Sequence, residues 1–234
     1  MHVDEGDLAH PRHGATAVGD YQDMGILPVA MRNFLALLGW SPGDDLEILS
    51  EEEMVRRFSL EGIQSKPAVF DTAKLEWMNG QYLSALSAQE LRDPVRRQLE
   101  RLGATVSPAR LDALIDAVKA RSRTIIQLAE QVAVRADPSR ITEDDRATAL
   151  RQKMGDAFSA SLRLAHAALA GVPEGDWNAD RLVETLKTIA ADKGVKLGDL
   201  MQPVRVALTG STVSEPVNEL LVVVGREESL KRLS

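Results

Sequence analysis

Residues 67–82, PAVFDTAKLEWMNGQY, combine a turn, a helix start and an amphipathic face in one short run. The Asp71 side chain can accept from a first-turn backbone N–H, so a helix is expected to begin there. Leu75, Met78 and Tyr82 then recur at i, i+3 and i+7 and predict one buried face, with Lys74 and Asn79 projecting elsewhere.

The sequence on either side has the same character. Pro28 opens a helix with Met31, Phe34, Leu35 and Leu38 on one face, and Gly39 with Pro42-Gly43 ends it. Ser50 with Glu53 and Ser87 with Glu90 have capping-box spacing. The first starts a short helix through Phe58, closed off by Gly62 and Pro67; the second starts a helix to about Leu102, where Gly103 stops it. Ser107-Pro108 launches a helix with Leu111, Leu114, Ile115 and Val118 inward, with a bend near Arg121–Thr124. A further helix runs to Val134, where Asp137-Pro138-Ser139 breaks the pattern. Thr142 with Asp145 then predicts one long Ala-rich helix to about Ala170, and three or four shorter helices follow from Trp177, punctuated by Gly194, Gly198, Gly210 and Gly225. Residues 1–20 lack helical periodicity and read as a flexible loop with a short extended piece around Ala15–Val18.

Composition agrees with a mainly helical protein. Ala and Leu dominate, aromatics are only 4%, and β-branched runs are short. The absence of cysteine excludes disulfides, thiolate nucleophiles and thiolate zinc sites. No apolar run reaches membrane-spanning length, and MHVDEGDLAH has neither the basic start nor the apolar core of a signal peptide, so a cytoplasmic protein with no membrane partner is expected.

The net charge of −7 argues against a generic nucleic-acid binder, but it is unevenly spread. Residues 1–90 hold 6 basic and 15 acidic side chains (net −9), residues 91–140 hold 10 and 6 (+4), and residues 141–234 hold 12 and 14 (−2). The basic middle fits either a polyanion partner or an ordinary solvated helix surface.

Candidates for chemistry are few. His10 and His13 flank Pro11-Arg12, but no carboxylate cluster supplies a third metal ligand, so no metal site is predicted. Ser161 and His166 share one helix at a five-residue offset that does not bring them face to face. Asp44-Asp45 and Asp144-Asp145 fall at turns and helix starts, where the helix dipole favours acids. No Gly-rich phosphate loop is present.

The wording of several segments is more specific than their periodicity. Residues 67–82, with YQDMGILPVAMRNFLALLGWSPGDD at 21–45, resemble the region after the signature lysine loop of bacterial glutamyl-tRNA synthetases, class I enzymes that charge tRNA with glutamate. The C-terminal GDLMQPVRVALTGSTVSEPVNELLVVVGREESLKRL resembles the end of the same family, with Gly198, Leu200, Pro203, Arg205, Ala207, Leu208, Thr209 and Gly210 in matching positions. KARSRTIIQLAE at 119–130 is similar to a family helix that contributes an arginine at the third anticodon base.

The resemblance implies a small α/β stem-contact domain at 21–86, two all-helical anticodon-binding subdomains at 87–140 and 141–234, and a remnant of the signature loop at 1–20. It implies tRNA(Glu) as partner, with tRNA(Gln) open, and a monomer. Arg121 is the first choice for base reading and Arg123 the second, by bidentate guanidinium contacts. Arg205 would hydrogen-bond a base or phosphate, Val217 would make an apolar contact after the turn, and Lys74 would face the tRNA stem. The bland alternative for Arg205 is a surface arginine satisfying helix carbonyls. The turn reads Ser214-Glu215-Pro216 where the family usually has Ser-Pro-Gly, and an acid facing phosphates costs binding unless it points away.

The family's lysine loop binds the phosphates of ATP through positive side chains. Here LAHPRHGAT stands in its place: the two lysine positions are Leu8 and Pro11, the serine position is His10, and only Arg12 matches. The second signature of the family and the nucleotide-binding domain that carries it are absent from these residues, so this chain alone is expected to be inactive and to hold no cofactor; ATP and Mg²⁺ belong to the parent enzyme. Three readings follow: the tRNA-binding portion of a glutamate–tRNA ligase, a free-standing truncated paralogue acting in trans, or a helical protein-interaction scaffold.

Overall fold

The computed structural model describes residues 18–65 and 69–234. The described residues form thirteen α-helices and three 3₁₀ turns, and their β content is a single antiparallel bridge between Trp40 and Ile63. The protein is mainly α. The first domain's expected strands reduce to that one bridge, because Gly39, Gly62 and their neighbours pair only locally, through Ser41 N–H to Gly62 O (2.9 Å) and Gln64 N–H to Gly39 O (2.9 Å). Residues 1–17, with His10, Arg12 and His13, lie outside the described residues, as do Lys66, Pro67 and Ala68, while residues 18–20, expected as loop, begin a helix. No helix among the described residues is long and apolar enough to cross a membrane.

The chain divides into two compact units, residues up to Ala85 with 123–126, and residues 86–122 with 127–234. The first unit contains α1 (Val18–Asp23), α2 (Pro28–Gly39), α3 (Glu51–Arg57) and α4 (Thr72–Ala85). Ser50 and Glu53 close a full capping box on α3, and Asp71 Oδ1 accepts from Lys74 N at 3.0 Å to start α4. Leu75 and Met78 of α4 pack with Ile26, Ala30, Met31 and Phe34 in a small core, while Leu35 turns outward at 45% exposure.

Asn79 departs from the sequence reading. It is fully buried rather than on a polar face. Its Oδ1 accepts from Leu27 N (2.8 Å), and its Nδ2 donates to Gly25 O (3.2 Å) and Arg123 O (2.6 Å), joining α2, α4 and the start of the 123–126 segment. Gly25 is required beside it: at φ +80 a β-carbon would sit 2.9 Å from the backbone nitrogens of Ile125 and Ile126.

The second unit contains α5 (Ala88–Arg101), α6 (Pro108–Val118), α7 (Ile125–Ala136, apart from its first two residues), α8 (Asp145–Met154), α9 (Asp156–Ala170), α10 (Ala179–Asp192), α11 (Leu197–Thr209), α12 (Val217–Val224) and α13 (Arg226–Leu233). Ser87 and Glu90 form the second capping box, and Leu111, Leu114, Ile115 and Val118 are buried as their spacing predicts. Ser107 makes no side-chain cap, so Pro108 at the first helical position starts α6 without it. The expected long Ala-rich helix is two helices: Asp144, not Thr142, is the cap (Ala147 N to Oδ1, 2.7 Å), and Gly155 at φ +52 breaks the run before Asp156. Helices α9 to α13 share a core around Leu169, Leu182, Leu186, Leu200, Val204 and Leu221.

Replacing Asn79 by Leu removes three hydrogen bonds and leaves buried backbone groups unpaired. Denaturant unfolding of Asn79→Leu should therefore show a loss of about 2–4 kcal/mol in the transition of the first unit; a loss no greater than that of an exposed substitution would contradict the bonding described.

Candidate functional site

Helix α11 ends at Gly210, whose φ of +75 puts a would-be β-carbon 2.2 Å from Thr142 O, so only glycine fits there. The chain then crosses 211–216 to reach α12. Two arginines hold this crossing. From α11, Arg205 Nη1 donates to Ser214 O (2.9 Å), Ser214 Oγ (2.9 Å) and Glu215 O (3.1 Å), while its Nε is buried without a partner. From α7, Arg135 grips the Glu215 carboxylate in two bonds, Nε to Oε1 at 2.7 Å and Nη2 to Oε2 at 2.5 Å.

The Arg135–Glu215 pair is sealed from water, with side chains 3% and 1% exposed. Arg135 Nη1 also donates to Gln131 O at 2.9 Å. Burial pulls the Arg205 guanidinium below the ordinary arginine value; the Glu215 carboxylate partly offsets this, and the charge of Arg121 adds to it. Arginine nevertheless stays protonated.

Beside the crossing is a cavity of about 320 Å³ lined by Arg121, Glu130, Gln131, Arg135, Thr209 and Ser211, with Val134 and Val213 as apolar wall. Arg121 comes from the 3₁₀ turn Lys119–Arg121 and is exposed. The arrangement offers an open guanidinium, hydroxyl and amide groups and an exposed carboxylate, Glu130, around a concave apolar wall. It suits a flat heteroaromatic ligand read along its edge.

The residues expected from the sequence do not all meet here. Arg121 and Arg205 are close enough for their charges to interact. Arg123 is exposed and belongs to the 123–126 segment of the first unit, where its carbonyl accepts from Asn79. Lys74 pairs with Glu47 at 2.5 Å, on a cavity of about 330 Å³ that also carries Asp44 and Asp45, so its surroundings are acidic. Val217 is 2% exposed and packs in the core with Leu220 and Leu221; its side chain is not available for an apolar contact to a base. Glu215, the acid in the turn, points inward to Arg135 and away from solvent.

Arg135 was not among the residues singled out from the sequence. A signal was present: Leu128, Val132 and Arg135 fall at i, i+4 and i+7 on the buried face of α7, and a charge on such a face needs an acid partner. Nothing in the sequence identified Glu215, 80 residues away, as that partner. Among the described residues no group of three or more His, Asp or Glu could hold a metal ion. Ser161 is buried, and His166 lies half-buried on the same helix.

A family model described as an anticodon binding domain matches residues 84–234, and a model of the catalytic domain of class I tRNA synthetases (E and Q) matches residues 5–77. A glutamate–tRNA ligase of Azorhizobium caulinodans is 39% identical over 245 residues, covering 100% of this chain and 50% of its own length. Glutamate–tRNA ligase 2 of Rhodospirillum centenum is 38% identical, with 100% and 49% covered. The chain thus spans about half the length of the curated relatives it matches. Among solved structures, a glutamate tRNA ligase from Elizabethkingia meningosepticum superposes with a TM-score of 0.77 at 26% identity, covering 91% of this chain and 41% of that one. A glutamate-tRNA synthetase from Elizabethkingia anophelis gives 0.75 at 28% identity, with 95% and 43% covered.

The placement of Val217 has a direct check. Val217→Ala should lower the stability of the second unit by about 1–3 kcal/mol in chemical denaturation, the cost of a cavity in a packed core. A change within the noise of the measurement would return that side chain to the surface.

Proposed function

The chain belongs to the glutamate–tRNA ligase family through its anticodon-binding domain, and from that premise we propose that it binds tRNA(Glu) and reads the anticodon at the cavity beside the 211–216 crossing. The observation that carries this reading is the exposed Arg121 on the lining of that cavity, with the Arg205 guanidinium near enough for their charges to interact and the only carboxylate of the crossing turned inward. An anticodon base splayed out of its loop can enter a concave site, stack on an apolar wall and hydrogen-bond along its edge. Arg121, exposed and unencumbered by the crossing, is the residue for a bidentate base contact at the third anticodon position. Arg205 holds the crossing and adds positive potential. Arg123 remains second choice.

A stem contact by Lys74 requires the RNA to displace Glu47, which its acidic neighbours make costly. Attachment of glutamate would require a nucleotide-binding half, which would supply the ATP and Mg²⁺ sites. The signature-loop positions read Leu8, His10 and Pro11, which offer the phosphates of ATP none of the lysine charge the family's loop supplies. The chain's part in that reaction is to bind and position the tRNA.

Equilibrium binding of the 234-residue chain to tRNA(Glu) at low salt tests the reading. Arg121→Ala should weaken binding by about 1–3 kcal/mol, with most of the loss absent when the third anticodon base is changed. Arg205→Ala should weaken all anticodons alike. No affinity at low salt would exclude RNA binding and favour a protein-interaction scaffold.

A further inference from the structure

We propose that Arg135 and Glu215 are positioning residues for anticodon reading: their buried ion pair fixes the 211–216 crossing as one wall of the cavity and withdraws its carboxylate from the RNA backbone. The proposal rests on the anticodon reading above and assigns two residues that themselves need touch no base.

The two arginines divide the work on one turn. Arg205 holds the backbone carbonyls of Ser214 and Glu215, and Arg135 holds the Glu215 side chain. Arg135 is itself fixed, since its Nη1 donates to Gln131 O (2.9 Å) and its own carbonyl accepts from Arg232 Nη2 (3.1 Å). Gln131 and Arg135 both line the cavity, and so do Thr209 and Ser211 at the start of the crossing. The ion pair therefore ties the α7 wall to the opposite wall at a single point.

Stability does not explain such a pair. Two charges removed from water lose hydration that their mutual attraction barely returns, and apolar residues of similar size would hold the helices as well. A bidentate guanidinium–carboxylate contact does something apolar packing does not, because it sets distance and orientation together. If Arg135 is lost, Glu215 loses its bidentate partner and either takes up a proton in place or turns outward, and in both cases the crossing loses the contact that fixes it.

The test uses the full chain and two RNAs, the anticodon stem-loop of tRNA(Glu) and the same hairpin with the third anticodon base changed. The quantity read is the ratio of the two dissociation constants. Arg135→Met should lower that ratio by about tenfold. Because a lone buried acid can unfold the domain, the double variant Arg135→Met/Glu215→Met is measured beside it; it should regain thermal stability and keep the lowered ratio. Leu182→Ala, a core change in α10 that lines neither wall, should lower the melting temperature and leave the ratio unchanged.

A double variant that is folded by circular dichroism and discriminates like wild type overturns the proposal, as does Leu182→Ala if it lowers the ratio equally. Wild-type protein that binds both hairpins alike removes the anticodon reading itself and the proposal with it. Binding with discrimination in wild type and unchanged discrimination in the double variant removes only the positioning role.

Discussion

A helix that ends inside a bundle leaves its last carbonyls without partners, and the second unit is organised around supplying them. Arginine does most of this. Arg232 donates to Val134 O (3.0 Å), Arg135 O (3.1 Å) and Leu208 O (2.8 Å), closing the ends of α7 and α11 together. Arg226 reaches Ala170 O and Val172 O at the end of α9, and Arg110 reaches Val223 O and Val224 O at the end of α12. A planar guanidinium can serve several carbonyls at once while its charge favours the negative end of the helix dipole. The crossing at 211–216 is the same device applied to a turn.

That constraint changes the meaning of the basic middle segment. Most of its ten basic side chains are engaged within the protein. Arg92 pairs with Asp112, Arg96 with Asp93 and Lys119 with Asp116 and Leu86 O, while Arg110, Arg135 and Arg140 hold backbone or buried groups. A local excess of positive charge in a sequence is thus a poor count of phosphate contacts. It measures helix ends as much as polyanion affinity.

Local structure was largely legible because its signals are local. Both capping boxes, the Asp71 cap and the apolar face of α6 depend on residues within one or two turns. The misreadings have a common cause in contacts distant along the chain. Asn79 looks like a polar-face residue until its partners 44 to 54 positions away are known. Val217 follows a turn, as a surface contact would, yet α12 presents it to a core built from α9 to α11. The break at Gly155 was legible in principle, since a glycine followed by an acid is a stop and a restart, but the surrounding alanines favour one continuous helix. At the candidate site the resemblance supplied Arg121 and Arg205, and tertiary structure was needed for Arg135.

A net charge of −7 gives the protein little overall attraction for a polyanion, and under the proposed anticodon reading this bears on how it would discriminate. Each neutralised phosphate contributes to affinity and to its salt dependence, without regard to sequence. A protein of net negative charge gains less of that indiscriminate term, so under the proposed reading a larger share of the binding free energy would come from base edges and shape. Base contacts reward geometry, which a mobile turn cannot provide. Two arginines locked onto one turn, one by its backbone and one by its only carboxylate, would supply the fixed geometry that the proposed base reading needs.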